Sequence, residues 1–286
     1  MHLKESMRAV GMLLAFALLA AAPAQAAPKR VVALTPFTAN TLAGIGFQPV
    51  GVGEVLGGAD RFSPKLASVP RLPLSHPNGP NMEQLARLRP QLVLSAPTWN
   101  RGAASMRRLG ATVVESAPIT VSGVPAETRR IGRLVGRKRK AEKAARRQER
   151  EIAAATRGIE RHPTVLLVLG VGRTPYAFMP SSWGGDVVRR AGGRLLTEGL
   201  SGPDGFARIS DEVIVARNPD IIIAVPHGRP EDIGRMRDYL ESNPAWRTTK
   251  AARNGNVHVS IGGSLLEPWT DVGRIIRDVR TKYLGT

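Results

Sequence analysis

Two glutamates stand in matching settings, one in each half of the chain. Glu83 lies in Asn81-Met82-Glu83-Gln84-Leu85-Ala86-Arg87-Leu88-Arg89-Pro90-Gln91-Leu92-Val93-Leu94. Glu212 lies in Ser210-Asp211-Glu212-Val213-Ile214-Val215-Ala216-Arg217-Asn218-Pro219-Asp220-Ile221-Ile222-Ile223. In each, a polar residue able to cap a helix stands two places before the glutamate, and a proline seven places after it ends a short amphipathic helix. A buried strand begins at once. A carboxylate near a helix start is favoured by the dipole, stays ionised and can accept a bidentate arginine. Either acid alone reads better as an ordinary first-turn capping residue. Two matched units instead imply two similar lobes, a cleft between them and a two-point contact. A second set of residues, Phe37, Trp99, Arg101, Arg173, Tyr176, Trp183, His227, Arg229 and Trp269, brings broad aromatic faces and paired guanidinium donors. That combination suits a large, partly aromatic, negatively charged molecule.

The elements that must position these residues begin after a leader. Lys4 and Arg8 precede an apolar run of 13 residues from Val10 to Ala22, and Ala24-Gln25-Ala26 supplies small residues for cleavage. The segment 1–26 therefore reads as a secretory signal peptide, too short for a membrane span. Beyond it, 260 residues remain (286 minus 26), enough for two lobes. Cysteine is absent, which excludes disulfides, thiolate metal sites, a cysteine nucleophile and a lipidated cysteine. Net charge is +18, or +17 without Lys4, Glu5 and Arg8. The export signal, the few aromatics and the lack of zinc-finger or helix-turn-helix signatures argue against nucleic acid. An anionic small ligand or contact with an anionic membrane surface fits the charge better.

From Arg30 strand and helix alternate, which predicts parallel sheets with helices on both faces. Strands are expected at Val31–Leu34, Pro49–Val52, Leu92–Ser95 and Thr112–Glu115, with an irregular passage over 53–80. Strand signals stop between Pro125 and Ile159. There a helix to about Val135 is interrupted by Gly136, and a long helix follows over Arg137–Ile159, with Gly158 weakening its last turn. Its cluster Arg137, Lys138, Arg139, Lys140, Lys143, Arg146 and Arg147 reads as a solvated face, or else as a membrane-proximal or partner-docking patch. Alternation returns with strands at Thr164–Leu169, Asp220–Val225 and Val257–Val259 and helices at Trp183–Ala191, near Glu231–Leu240 and from about Glu267 to Tyr283. The expected fold is α/β, two Rossmann-like lobes with mainly parallel sheets joined by one long α-helix. The division is 27–136, a linking helix 137–160, and 161–286. Ligands lie off the carboxyl ends of parallel strands, and that rule selects most of the aromatic and arginine set. Trp183 could be lobe core instead of ligand wall, Trp246 reads as core, and Arg173 and Arg229 could be surface residues.

Taken in order, several segments carry a likeness. They are Arg89-Pro90-Gln91-Leu92-Val93, Leu134-Val135-Gly136 before the long helix, Gly184-Gly185-Asp186-Val187-Val188 with Ala191-Gly192-Gly193, and Asn218-Pro219-Asp220-Ile221-Ile222. With them the chain resembles the periplasmic substrate-binding proteins of ABC importers whose lobes are joined by one helix. That class carries ferric siderophores, haem, cobalamin and some metal ions. The resemblance implies that Glu83 and Glu212 pair with arginines of an inner-membrane permease. It departs at Gln91, where the family usually has aspartate. It further implies a soluble monomer in the periplasm and transport without catalysis. Consistently, no Gly-x-Ser-x-Gly, His-Glu-x-x-His or phosphate loop is present. Ferric siderophore is the first expectation for the ligand, because arginines meet anionic groups and no fixed metal-ligand set is needed. Haem would enlist Tyr176 and His227 as axial ligands, cobalamin mainly aromatic walls. A bare metal ion is disfavoured by the wide spacing of His76, His162, His227 and His258. The rival from another class is a secreted basic surface-interaction protein.

Overall fold

Val31, Val32 and Ala33 are fully buried, because β-branched and small apolar residues in an unbroken run suit a strand covered on both faces. They form β1 (Val31–Ala33), the centre of a five-stranded parallel sheet in the computed structural model, which describes residues 27–54, 62–170, 175–226, 238–240, 242–260 and 263–286. Its other strands are β2 (Gly51–Gly53), β3 (Arg71–Leu72), β6 (Leu92–Ser95) and β7 (Thr112–Glu115), in the order β3-β2-β1-β6-β7. A small hairpin of β4 (Leu74–Ser75) and β5 (Gly79–Pro80) stands apart, so the passage expected to be irregular carries three short strands. Helices α1 (Pro36–Gly44), α2 (Met82–Arg87), α3 (Asn100–Arg108) and α4 (Gly123–Leu134) complete the first lobe.

The second lobe repeats the plan. Strand β8 (Thr164–Gly170) and strand β12 (Ile221–Pro226) pair in parallel over six residues, and β13 (Val257–Val259) extends the sheet beside β12. On the other edge β8 pairs with β9 (Tyr176–Phe178), which is antiparallel and leads to β11 (Phe206–Arg208), and with the short parallel β10 (Arg194–Leu195). The helices are α6 (Trp183–Arg190), α7 (Asp211–Arg217), α8 (Pro244–Arg247), α9 (Lys250–Arg253) and α10 (Val272–Val279).

Between the sheets runs α5 (Lys138–Ala155), 18 residues and about 27 Å long. It is shorter than Arg137–Ile159 because the chain leaves the helix toward Gly158, whose φ of 63° a helix does not allow. Arg280 then caps the end, donating to the carbonyls of Ala155 and Arg157, both at 2.9 Å. The last helix also starts later than Glu267, since Pro268 disfavours the helical conformation in the residue before it.

Helix α5 is gripped from both lobes. A Cβ on Gly132 of α4 would stand 2.1 Å from the Cβ of Ala141, and one on Gly273 of α10 would stand 2.8 Å from Glu151. Both helices thus approach α5 at distances that only glycine permits. Arg129 of α4 adds charged bonds to Glu142 at 2.8 Å and Glu149 at 2.7 Å, and Arg129 with Arg146 holds the Glu142 carboxyl down to about 2. The main hydrophobic cluster runs through this region without a break, including Val31, Phe37 and Ile131 from one side and Val165, Trp269 and Ile276 from the other.

Two further contacts cross directly between the lobes. Asp186, 5% exposed in the first turn of α6, accepts the Val121 backbone N–H at 2.8 Å. Phe62 meets Trp269 with ring centroids 6.3 Å apart, and Arg71 lies 4.2 Å over the Phe62 ring. Asp186→Ala strands a buried donor and is expected to cost roughly 1–3 kcal/mol of stability. It should also broaden spin-label distances between the lobes, while Asp186→Asn, which keeps an acceptor, should do less. Unfolding and distance profiles equal to the parent chain would remove Asp186 as an interlobe tie.

Candidate functional site

The two glutamate units fold alike. In the first, the Asn81 side chain accepts the Gln84 N–H at 3.0 Å and opens α2 with Glu83 in its first turn. In the second, the Ser210 hydroxyl accepts the Val213 N–H at 3.4 Å and opens α7 with Asp211 and Glu212. Each helix stops at a left-handed residue directly before the proline, Arg89 at φ 42° and Asn218 at φ 44°. Each chain then drops into a buried strand, β6 or β12. The residue just past the proline stitches the unit to its sheet. Gln91 accepts the backbone N–H groups of Lys29 at 2.8 Å and Arg30 at 3.1 Å. Asp220 accepts the Thr164 N–H at 2.9 Å and the Thr164 hydroxyl at 2.7 Å, and its ion pair with Lys250 is the largest reason its carboxyl sits at about 2. Gln91 and Asp220 therefore do the same structural work, so the departure at Gln91 leaves the unit intact.

The two acids differ in their surroundings. Glu83 is 74% exposed and paired with Arg87 at 2.5 Å across one helical turn. Glu212 is held below the usual carboxylate range by the Ser210 hydroxyl and by its own backbone N–H, so it is charged at neutral pH. Its neighbour Asp211 faces the protein, where it accepts the Trp246 indole N–H at 2.7 Å and the Asn243 amide at 2.9 Å. This bond locks the start of α7 onto α8 and fixes where Glu212 emerges. Trp246, 1% exposed, is core, in line with expectation.

The aromatic set is mostly inside. Phe37 follows β1, and its ring is fully buried in the main cluster, because the second residue of α1 turns under the sheet. Trp269, 1% exposed, serves the contact with Phe62 and offers no open face. Trp183 and Trp99 are each 5% exposed. The Trp183 indole donates to the Ser264 carbonyl at 2.9 Å, and Trp99 packs with Leu34, Leu85 and Met106, with His76 edge-on at 6.2 Å. Arg101 is exposed in the first turn of α3, and Tyr176 is half-buried at the start of β9, in register with Leu169 and Arg208. Arg173, His227 and Arg229 lie outside the described residues, as does the leader 1–26.

Sequence reasoning missed Asp186 and Asp211, the acids that tie the lobes together and anchor the start of α7. Asp186 had a signal, the single charge within Trp183-Gly184-Gly185-Asp186-Val187-Val188, all buried. Among the described residues no cluster of three or more His, Asp or Glu side chains could hold a metal ion, and no helix is long and apolar enough to cross a membrane.

Two α/β lobes on one connecting helix define a two-lobed binding protein. The profile of the periplasmic binding protein family matches residues 31–260, and the chain belongs to that family. A cobalamin-binding protein of Halobacterium salinarum is 28% identical over 202 residues, covering 68% of this chain and 53% of that protein. The high-affinity heme uptake system protein IsdE of Staphylococcus aureus is 27% identical over 192 residues, covering 65% of this chain and 64% of that protein. The chain thus spans less than two thirds of either relative. The structure of IsdE complexed with heme superposes with a TM-score of 0.75 at 22% identity, over 89% of this chain and 98% of that one. The Bacillus subtilis triscatecholate siderophore binding protein FeuA, complexed with ferri-bacillibactin, gives 0.68 at 16% identity, over 90% and 94%.

Removing the Asp211 side chain tests how Glu212 is held. Asp211→Ala leaves the buried Trp246 N–H without its acceptor and is expected to cost roughly 1–3 kcal/mol, with a changed Trp246 fluorescence. Glu212→Ala should leave both melting temperature and emission where they were. Equal effects from the two variants would refute this division of labour.

Proposed function

We propose that the chain binds a bulky iron chelate, a ferric siderophore, between its lobes and delivers it to an inner-membrane ABC permease. The observation that carries the delivery reading is the duplicated unit, which sets one capped, surface carboxylate on each lobe. Two surface acids on a body whose lobes share one helix can meet two arginines of a membrane partner, fixing orientation as well as affinity. Membership of the periplasmic binding protein family supports the same role. The leader 1–26 supports export to the periplasm as a soluble chain, and the monomer is the simplest form that leaves both acids free. The protein works without catalysis.

For the ligand, the relatives named above are described as binding cobalamin, heme or a siderophore. Siderophore is preferred because the cationic candidates Arg101, Arg173 and Arg229 match an anionic chelate, which brings its own iron ligands. Haem is the second reading, favoured by Tyr176, a half-buried phenol at the start of β9 that could serve as an axial oxygen ligand. Of the aromatic walls first expected, Trp99 and Trp183 keep a sliver of exposure and stay in the proposal as backing for the site.

Reversing the charge at both Glu83 and Glu212 should abolish uptake of the ligand by cells while its affinity stays within about twofold. Unchanged uptake, or lost ligand binding, would defeat the docking assignment. Tryptophan quenching by a ferric siderophore, haemin and cobalamin separates the ligands. The siderophore is expected to bind at least about tenfold tighter than the others. Tightest binding by haemin, with a Soret band in freshly isolated protein, would replace siderophore with haem and leave the docking reading standing.

A further inference from the structure

The turn between α4 and α5 gathers charge in a way that helix stability does not explain. Arg133 lies in the last turn of α4, Arg137 precedes α5, and Lys138, Arg139 and Lys140 occupy its first turn, with Lys143 one turn on. All six are exposed, and a groove of about 500 Å³ is lined by Gly136, Arg137, Lys138, Arg139 and Lys140. The positive end of a helix dipole repels cations, and α5 has no acid in its first turn to offset them. Elsewhere the chain places its arginines with the dipole, as at Arg107 and Arg108 in the last turn of α3 and Arg189 and Arg190 in that of α6. Further along α5, Arg146 and Arg147 pair with Glu142 and Glu151, whereas among the described residues Arg137, Lys138, Arg139 and Lys140 meet no carboxylate. Four unpaired cations at the wrong end of α5 point to a partner outside the chain.

We propose that this turn is a contact surface for anionic phospholipid headgroups. A protein partner would want an apolar or aromatic centre, and a nucleic acid would want rings to stack on its bases. Residues 133–147 contain no aromatic side chain, and the only exposed large hydrophobics among the described residues, Leu109 and Ile119, lie outside that stretch. Long, unpaired lysines and arginines around a shallow groove instead suit a sheet of phosphates, where attraction sums over cations without a fixed geometry. The turn is clear of the candidate ligand loops. Gly136 sits against Ala27, and the Lys140 ammonium against Gly46, so the patch lies where β1 begins and not at the strand ends that lead to the cleft. It is independent of the permease reading and survives its failure.

The test uses the chain from Ala27 with vesicles of phosphatidylcholine, with and without about one third phosphatidylglycerol. Co-sedimentation with the anionic vesicles only, lost at high salt, is expected. Arg137→Gln, Lys138→Gln, Arg139→Gln and Lys140→Gln together should weaken it by more than about tenfold, since each cation near such a surface is worth roughly fivefold. The same variant should melt no lower than the parent, because it relieves repulsion at the helix start. A control removing four cations of the second lobe, at Arg161, Arg189, Arg190 and Arg194, should keep the affinity within about twofold. Equal losses in both variants would make binding a matter of net charge and overturn the proposal. So would unchanged binding in the turn variant, or binding of a single-stranded oligonucleotide with none of vesicles.

Discussion

The whole molecule depends on how closely two helices can press against α5. Gly132 from the first lobe and Gly273 from the second each remove a side chain where a β-carbon would collide, and Ala141 sits fully buried at one of those contacts. Close approach of this kind multiplies dispersion contacts and leaves no slack for the helices to slide. A continuous apolar cluster on either side of α5 then makes the two sheets parts of one packed body instead of two beads on a string. Asp186 and the Phe62–Trp269 contact reinforce that continuity away from the helix itself.

Given such a frame, placement of the surface acids becomes a local matter. Each needs only a cap before it, a short helix beneath it and a proline to send the chain into the sheet. The second unit adds Asp211, which spends its carboxylate inward on Trp246 and Asn243 while Glu212 points outward. Adjacent acids of the same type thus divide structure and surface between them. The first unit has Met82 at the corresponding place, and its Glu83 is steadied by Arg87 on its own helix instead.

Much of this is legible in the residues alone. Alternating strand and helix signals mark both parallel sheets, and the capped glutamate with a proline seven residues on locates the two matched units. Periodicity by itself overextends the helices, because Gly158 ends α5 early and Pro268 delays the start of α10. The candidate site is less legible. A rule that loops after strands face a ligand cannot see whether a ring on the first turn of a helix swings outward or under the sheet, and Phe37 swings under. Burial of Trp183 and Trp269 has the same origin, since large apolar rings beside a sheet satisfy the core as readily as a cleft. Asp186 is hidden for a different reason. Its partner is the backbone of Val121, 65 residues away, and a main-chain donor leaves no mark in the sequence.

Under the proposed delivery role, the grip on α5 has a consequence for traffic at the membrane. If the proposed docking holds and the lobes keep one spacing, laden and vacant molecules would present the same two carboxylates to the permease. Vacant copies would then queue for the entrance alongside laden ones, and throughput would depend on the ratio of the two in the compartment. Discrimination between cargo and no cargo would have to come from whatever the occupied mouth itself displays.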